Sequence, residues 1–436
     1  MPEKRFFKKP VFEERESPLT LAFETPTGYA FLSTFVILSL VYIIKTVAIY
    51  LLDGGISWKE DWSVVEIGFK GLPQVAVIWI VHHVILIIFV YPLTKEFYNY
   101  KKTLYFLSWV LHIGNVLHTG YVSVNSSLGL ATRAVLAFET IRIWMKTISF
   151  MREIPNLMIE EEDNNNEYDH KKLDKQPSNV PVTSLSQFVY FLFCPTPIYA
   201  PEYPRTKTIH WGRVFLLNYI NFVIVICGLR LVQAVRMPET FGKEPIKLTV
   251  LIEKASIYAI WYTILSVTAM AIFWQHCWQN IWAELMRFAD RRFYSDYYSC
   301  HETATYFRKW NHIIQGWLYR YFYTPMVPWS GTFVAQMFLL FFSGLVHDYA
   351  LFIVVGLLLP LHAISFVIVV LLARFAPKEN PSFWHFMNGP MASNFIQGFG
   401  HFFMLLEFYS RTTCHKEDMS IFVPQFPSCL LVDYDS

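Results

Sequence analysis

The sequence predicts an all-α, polytopic membrane protein with about nine transmembrane helices, and two observations lead to this fold class. The composition is 54% hydrophobic and 18% aromatic but only 16% charged, a balance that does not suit a surface facing water. Several apolar runs also reach the roughly 20 residues with which a helix crosses a bilayer core about 30 Å thick. The 436-residue chain is therefore expected to fold mainly within a membrane.

The three clearest spans are continuous apolar runs, at Tyr29 to Leu52, Val75 to Leu93 and Gly331 to Leu359. The first run follows a charged segment and has no small-residue cleavage site after it, so it is interpreted as a signal anchor rather than a cleaved signal peptide. Weaker or interrupted candidates complete the set of nine and lie near 104–124, 128–147, 213–236, 249–283, 360–375 and 393–410.

The distribution of Lys and Arg predicts the orientation of these spans. Basic residues concentrate in the N-terminal tail and in the segments after the second, fourth and sixth spans, and the positive-inside bias makes that side cytosolic. An odd number of spans then places the C-terminus in the lumen. The chain is expected to comprise a cytosolic tail (1–28), a transmembrane domain (29–410) and a luminal tail (411–436).

Three features outside the spans carry further predictions. The polar N-terminal tail is expected to be flexible, and residues 160–180, which are charged and poor in apolar side chains, are expected to form a disordered cytosolic linker. Cys414 and Cys429 belong to the luminal tail. An oxidising compartment allows them to form a disulfide, and two free thiols are the alternative.

Ionisable residues inside a span are costly and therefore indicate function. The predicted spans contain His82, His83, His112, His118, His276, His347, His362 and His401. The spacing of the histidines does not match the i, i+3 or i+4 pattern with which one helix face chelates a metal. No P-loop, G-x-S-x-G elbow or C-x-x-C occurs, so no metal and no covalent serine chemistry are expected. His347, in "FFSGLVHDYALF", lies near the middle of the apolar run from Gly331 to Leu359. Sequence physics alone leaves a catalytic and a structural role open for it.

Three stretches around this histidine resemble a known family. They are "HCWQNIWAELMRFADRRFYSDYYSC", "YFRKWNHIIQGWLYRYFYTP" and "SGLVHDYAL", and they are similar to the membrane-bound O-acyltransferase (MBOAT) superfamily. Within it they resemble the branch of the sterol O-acyltransferases and the diacylglycerol acyltransferases, the sterol enzymes most of all. The resemblance runs over nearly the whole chain, and it implies the MBOAT fold with a reaction chamber embedded in the membrane.

The resemblance also assigns roles to individual residues. His347 matches the catalytic histidine of the family and Asn311 the asparagine that assists it. Other positions match the signature motif (Phe293, Tyr294, Asp296), the acyl-CoA contacts (Arg308, Tyr323, Ser343) and the luminal disulfide of the sterol enzymes (Cys414, Cys429). The chain departs from the family where Tyr297, Tyr298 and Ser299 replace Trp-Trp-Asn and where Asp348 replaces a glutamate.

The implied function is acyl-CoA-dependent esterification of a sterol in the endoplasmic reticulum membrane. Acyl-CoA is a substrate, and no cofactor is implied. The implied partners are acyl-CoA, a sterol or other lipid alcohol, membrane lipids and further copies of the chain in a homodimer or larger assembly, with no nucleic acid. Basic side chains on the cytosolic side, Arg291, Arg292, Arg308 and Lys309, are expected to attract the CoA phosphates. The alternatives are the same chemistry on diacylglycerol, a long-chain alcohol or retinol, and an inactive lipid-binding or transport relative.

Overall fold

The computed structural model describes residues 10–170, 183–234, 248–297, 303–375 and 397–403. Within these ranges the chain is mainly helical, and its only β-type pairs are two isolated bridges, Arg15 with Asp290 and Arg205 with Phe288. The predicted all-α class is therefore confirmed for the part of the chain that the structure describes.

The helices of the described ranges are joined by short turns in some places and by longer connections in others, as between Phe193 and Trp211. The first half comprises α1 (Pro18–Glu24), α2 (Pro26–Leu52), α3 (Ile56–Gly68), α4 (Leu72–Ile85), the π-helical turn π1 (Leu86–Val90), α5 (Tyr91–Glu96), α6 (Lys101–Asn125), α7 (Leu130–His170) and α8 (Leu185–Phe193). The second half comprises α9 (Trp211–Ala234), α10 (Leu248–Ala269), π2 (Met270–Trp278), α11 (Gln279–Leu285), α12 (Thr303–Trp310), α13 (His312–Leu318), π3 (Tyr319–Tyr323), α14 (Thr324–Val355) and α15 (Leu361–Phe375). A last helical turn, α16, covers 397–403.

Among the residues that the structure describes, three helical stretches are long and apolar enough to cross a bilayer, and they overlap the three clearest predicted spans. They run over Pro26–Leu52, Ile56–Glu96 and His312–Val355, and a shorter apolar helix covers Trp211–Ile226. Large apolar side chains project outward from these stretches, among them Ile37, Phe89 and Phe215. Such faces are covered by lipid in a membrane protein. The chain is thus a multi-pass membrane protein, and the count of nine spans stays a prediction.

The third stretch is a helical hairpin rather than one straight rod. Gly331 interrupts α14 with φ 78° and ψ 166°, a backbone conformation that glycine adopts readily and other residues avoid. The rings of Phe322 and Phe342 stack with centroids 4.8 Å apart, although a straight helix would separate residues twenty apart by about 30 Å. The chain therefore turns back at Gly331. The arm after Gly331, which carries His347, runs beside the arm before it.

The N-terminal segment differs from the predicted flexible tail, because its residues 10–17 are docked against the chain after α11. Arg15 N donates to the Ala289 carbonyl at 3.0 Å, and Arg291 N donates to the Arg15 carbonyl at 2.8 Å. The Arg15 guanidinium forms two bonds with the Asp290 carboxylate, at 2.9 and 2.7 Å. The hydrogen bond and the charge of Asp290 raise the pKa of Arg15 despite its partial burial. These paired charges hold the segment in place.

The predicted disordered linker 160–180 also differs in its first part. Helix α7 continues without interruption to His170, so residues 160–170 are helical. Helix propagation explains this, because adding a residue to an existing helix is far easier than nucleating one. Residues 171–180 lie outside the described ranges.

The interior near α7 is organised around a buried lysine. The Lys146 side chain is 3% exposed, and its ammonium donates to the carbonyls of Phe191, Cys194 (2.9 Å) and Thr196 (2.9 Å). A cation at the last carbonyls of a helix satisfies their hydrogen-bonding capacity and complements the helix dipole. Lys146 therefore fixes the end of α8 and the turn after it against α7.

Candidate active site

His347 lies in the second arm of the hairpin, and one hydrogen bond defines the state of its imidazole. Its Nδ1 is 2.7 Å from the carbonyl oxygen of Ser343, one helical turn earlier. A carbonyl only accepts, so Nδ1 must carry the proton, and Nε2 of the neutral ring then holds a lone pair. The His347 side chain is exposed whereas that of the following Asp348 is buried. A substrate can therefore reach the ring. The basic nitrogen, Nε2, is not the one that binds Ser343.

Asp348 faces away from solvent and caps the neighbouring helix α15. One carboxylate oxygen accepts hydrogen bonds from the His362 backbone N (2.8 Å) and the His362 Nδ1 (3.0 Å), and the other accepts from Ala363 N (2.9 Å). The first backbone N–H groups of a helix have no partner within it and favour an anion. Asp348, 1% exposed, is thus bound by three donors from the start of α15.

Two further histidines lie beside this pair. The rings of His347 and His362 are stacked with centroids 5.6 Å apart and planes at 26°. His401, on α16, has its ring 5.2 Å from that of His362. The structure therefore places three of the eight histidines of the predicted spans close together near one carboxylate. Among the described residues, no three His, Cys, Asp or Glu side chains are placed so that they could hold a metal ion.

Asn311 begins α13 and is oriented by that helix. Its Oδ1 accepts from Ile314 N at 3.1 Å, the usual geometry of an asparagine N-cap. Because Oδ1 is engaged, the amide presents its Nδ2–H₂ group as a donor, which forms no hydrogen bond within the described part of the chain. Asn311, which is half-buried, and His347 are not hydrogen-bonded to each other.

The signature segment positions Asn311 by backbone hydrogen bonds. Ser295 N donates to the Lys309 carbonyl at 2.9 Å, and His312 N donates to the Phe293 carbonyl at 2.9 Å. Trp310 and Asn311 lie between Lys309 and His312, so these two bonds tie both sides of the turn to the signature segment. The Ser295 hydroxyl and His312 Nε2 add a side-chain bond of 2.7 Å. The signature therefore holds the corner at which Asn311 leaves α12 and enters α13.

Phe293 and Tyr294 are each only 2% exposed, so they stabilise this corner from within. The Tyr294 hydroxyl accepts from the Ser17 hydroxyl at 3.2 Å and lies 3.2 Å from His276 Nδ1. Tyr294 thereby connects the signature to the docked N-terminal segment and to π2. The third signature residue, Asp296, is exposed, and its carbonyl accepts from Lys309 Nζ at 3.1 Å.

A chain of aromatic contacts joins the signature region to His347. The Phe307 ring on α12 lies 6.1 Å from the Phe366 ring on α15. Phe366 in turn meets the His347 ring edge-to-face at 5.5 Å. Helix α12, which carries Arg308, is therefore linked through Phe366 on α15 to His347.

The three residues predicted to contact acyl-CoA occupy different parts of this region. Arg308 is exposed, and its guanidinium donates to Thr305 Oγ1 at 2.9 Å. Tyr323 ends π3 and stacks on Tyr319 with ring centroids 5.0 Å apart. Ser343 touches His347 directly through its carbonyl. The structure thus brings Ser343 to the catalytic candidate and leaves Arg308 on an accessible face of α12.

One predicted contact with the CoA phosphates is wrong. The Arg291 side chain is 1% exposed and forms an ion pair with the Glu284 carboxylate, and its Nε donates to the Phe288 carbonyl at 3.1 Å. A buried, paired guanidinium is not available to a phosphate. Arg292 and Arg308, which are exposed, keep the charge that such an interaction requires. Of the other predicted residues, Tyr298, Ser299, Cys414 and Cys429 lie outside the described ranges.

Comparison with known proteins assigns this architecture to a family. The model of the MBOAT, membrane-bound O-acyltransferase family matches residues 68–406, which is most of the chain and includes every described residue of the region around His347. The chain belongs to the membrane-bound O-acyltransferase family. It is an acyltransferase of that family by this match, and acyl-CoA and lipid substrates follow at the level of the family.

Three named relatives are similar to this acyltransferase over most of their length. Sterol O-acyltransferase 1 of Rattus norvegicus is 27% identical over 432 residues, which cover 93% of this chain and 75% of the relative. Sterol O-acyltransferase 2 of the same species is 28% identical over 410 residues, covering 86% and 71%. The human sterol O-acyltransferase 2 is 27% identical over 378 residues, covering 83% and 68%.

Sequence reasoning on this acyltransferase singled out His347 but not its two companions. His362 follows it by fifteen positions and His401 by fifty-four, so neither lies within a helical turn of His347, and no local spacing connects them. One weak signal was present: Pro360 directly precedes the start of α15, and an acidic side chain from elsewhere is a suitable partner for a helix start. Only the tertiary packing of α14 on α15 brings the three rings together.

Proposed function

We propose that the protein is an acyl-CoA-dependent sterol O-acyltransferase, which joins a long-chain acyl group to a sterol hydroxyl and releases CoA. The observation that carries the proposal is the orientation of His347: Nδ1 is bound to the Ser343 carbonyl, and Nε2 is left to accept a proton. The choice of a sterol as acceptor is supported by the similarity to sterol O-acyltransferases 1 and 2 over most of the chain.

The chemistry needs one proton acceptor and no cofactor. A lipid hydroxyl is a very weak acid and must lose its proton as its oxygen attacks the thioester carbonyl. Neutral His347 takes this proton at Nε2 as a general base. When the tetrahedral intermediate collapses, the carbon–sulfur bond breaks, and the imidazolium returns the proton to the CoA sulfur. The products are the ester and free CoA thiol, and His347 is again neutral.

Asn311 has the complementary role in this proposal. Negative charge develops on the thioester oxygen during attack, and a preorganised N–H donor lowers the free energy of that state. The Asn311 Oδ1 is occupied by Ile314 N, which turns Nδ2–H₂ outward as such a donor. Asn311 would therefore bind the oxyanion while His347 transfers the proton.

The two substrates are proposed to reach the site from different phases. The exposed Arg308 and Arg292 would attract the phosphates of CoA from the aqueous side, since guanidinium groups bind phosphates as paired donors. The lipid alcohol would enter from the bilayer into a membrane-embedded reaction chamber beside His347. We further propose an endoplasmic reticulum location with a cytosolic N-terminus and a luminal C-terminus, a Cys414–Cys429 disulfide, and a homodimer or larger assembly.

A direct assay tests the proposal. Purified protein in detergent receives radiolabelled oleoyl-CoA with cholesterol, diacylglycerol, a long-chain alcohol or retinol in separate reactions. The expected result is labelled steryl ester, and no product from His347→Gln. The matched control is His82→Gln, which changes another intramembrane histidine whose ring contact is to His118.

Each outcome distinguishes among the alternatives. Label that appears only in triacylglycerol or in an alkyl or retinyl ester would replace the sterol by that acceptor and keep the chemistry. Undiminished product from His347→Gln would remove the general-base mechanism. A folded protein that makes no ester from any acceptor would instead be an inactive lipid-binding or transport relative.

A further inference from the structure

The catalytic candidate is one of two histidines in contact, and the second is held more firmly than the first. His362 is 7% exposed. Its Nδ1 donates to Asp348 at 3.0 Å, and its backbone N donates to the same carboxylate oxygen at 2.8 Å. With both bonds made, the ring of His362 has a fixed tautomer and a fixed orientation when it is neutral. His347, in contrast, forms one side-chain hydrogen bond within the described part of the chain, to the Ser343 carbonyl.

The contact between the two rings is a stack that restrains His347. The planes are 26° apart and the centroids 5.6 Å apart, which matches an offset-stacked aromatic pair. Phe366 closes a second side, with its ring 5.5 Å from that of His347 and 5.9 Å from that of His362. The bond to Ser343 fixes the position of Nδ1, and the stack limits rotation of the ring about its last torsion. Together they determine where Nε2 points.

The same arrangement affects the charge that forms on His347. Among the described residues, Asp348 follows it on its own helix and His362 on α15 stacks on its ring. His401 on α16 lies next to His362, with the two rings 5.2 Å apart. Asp348 with a neutral His362 carries one net negative charge. An anion near a forming imidazolium stabilises it, while the hydrogen bonds of the Asp348 carboxylate come from His362 and Ala363 rather than from His347.

We propose that His362, held by Asp348, is a positioning residue. Its ring stacks on the ring of His347 and orients the His347 imidazole during ester formation. This inference rests on the proposed function, because it refines how the same site works. A purely structural alternative exists: His362 and Asp348 could serve only to cap α15. The two backbone bonds from His362 and Ala363 to Asp348 provide such a cap whatever the side chain at 362 is, so the two roles can be separated.

Two substitutions divide the properties of His362. His362→Asn places an amide nitrogen where Nδ1 lies, so it keeps the donor to Asp348 and removes the ring. His362→Phe keeps a ring for stacking and removes the donor. His82→Asn is the control, because it removes an intramembrane ring that contacts His118 and leaves the stack on His347 unchanged.

The measurements are kcat, KM for acyl-CoA, KM for the alcohol, and the melting temperature of the purified full chain. Misplacement of a reacting group by about 1 Å can reduce a rate by about 100-fold. For His362→Asn we therefore expect kcat to fall by roughly 10- to 100-fold, with both KM values and the melting temperature close to wild type. For His362→Phe we expect the opposite: a lower melting temperature and a kcat, per folded molecule, near wild type.

The outcomes separate this proposal from the proposed function. A wild-type kcat in His362→Asn overturns the positioning role, as does an equal loss of kcat in both variants. If His362→Asn does not fold, His362→Leu and His362→Phe give the same comparison, since both lack the donor and only Phe has the ring; equal kcat values overturn the proposal. Activity that survives in His347→Gln overturns the proposed mechanism instead, whatever the variants of His362 do.

Discussion

Gly344 and Ala363 lie at a close approach of the two helices that carry His347 and His362. A Cβ atom built on Gly344 would lie 2.4 Å from the Cα of Ala363, a distance at which the backbones must separate. Only a residue without a side chain allows α14 and α15 to pack at this distance, and Gly344 is buried in the contact. The geometry around His347 therefore depends on a glycine one turn before it.

Gly344→Ala is expected to destabilise the protein and reduce its activity. Overpacking of a tight contact costs about 1–3 kcal/mol, and separation of the helices would loosen the stack of His347 on His362. Melting temperature and ester formation measure the two effects. Gly114→Ala is the control, because a Cβ at Gly114 meets nothing within 4 Å and alanine favours a helix interior. Equal behaviour of the two variants would contradict the importance of this contact.

Substitutions of Asn311 can separate its cap from its donor. Asn311→Asp keeps an oxygen that accepts from Ile314 N but removes the Nδ2–H₂ group. We expect it to be as stable as wild type and to lose about 100-fold or more in kcat, the effect of removing one oxyanion donor. Asn311→Ala should lose both properties, with about 1 kcal/mol of stability for the missing cap. An active Asn311→Asp variant would mean that the asparagine acts only as a helix cap.

Lys146→Met should lower stability substantially. The substitution leaves the carbonyls of Phe191, Cys194 and Thr196 without the ammonium that now bonds them. We expect a loss on the order of 3 kcal/mol, measured as a lower melting temperature. Lys207→Met is the control, since Lys207 is exposed in the segment after α8. A melting temperature for Lys146→Met within a degree or so of that control would show that the carbonyls find other partners.

Arg15→Met should release the N-terminal segment from the chain after α11. The variant loses both bonds to Asp290 and leaves that carboxylate, 7% exposed, without its cation. A partly exposed ion pair contributes about 1 kcal/mol, so its loss should raise the population of the released segment roughly five-fold. Digestion by proteinase K in the first 20 residues should become faster by about the same factor. Glu14→Gln, at an exposed position of the same segment, should be digested like wild type. Equal rates in the two variants would mean that the backbone bonds alone hold the segment.

Composition and apolar run length were sufficient to predict the helical membrane fold, because a bilayer leaves a chain few alternatives. His347 and Asn311 could also be predicted from the sequence, since both lie in stretches that resemble the family. The contacts that position these two residues could not be predicted. Asp348 reaches α15 across the loop after Val355, and such a cap has no signal in the sequence of either helix.

The docking of the N-terminal segment could not be predicted from the local sequence either. Residues 10–17 are polar and contain a proline, a pattern that local reasoning assigns to a flexible tail. Their order comes from partners 275 positions away, as Arg15 with Asp290 illustrates. The burial of Arg291 beside Glu284 could not be predicted for a related reason. A cluster of charged residues in a sequence indicates a solvated surface, and only the fold shows that these two pair inside the protein.

The bridge between Arg15 and Asp290 also constrains how the chain threads through the bilayer. Two residues joined by a direct ion pair outside the apolar helices must be on the same side of the membrane. The polypeptide between them therefore crosses the membrane an even number of times. The six crossings predicted before Asp290 satisfy this parity, whereas any arrangement with five or seven would break the bond. A single contact of the N-terminal segment thus acts as a check on the topology of more than half the chain.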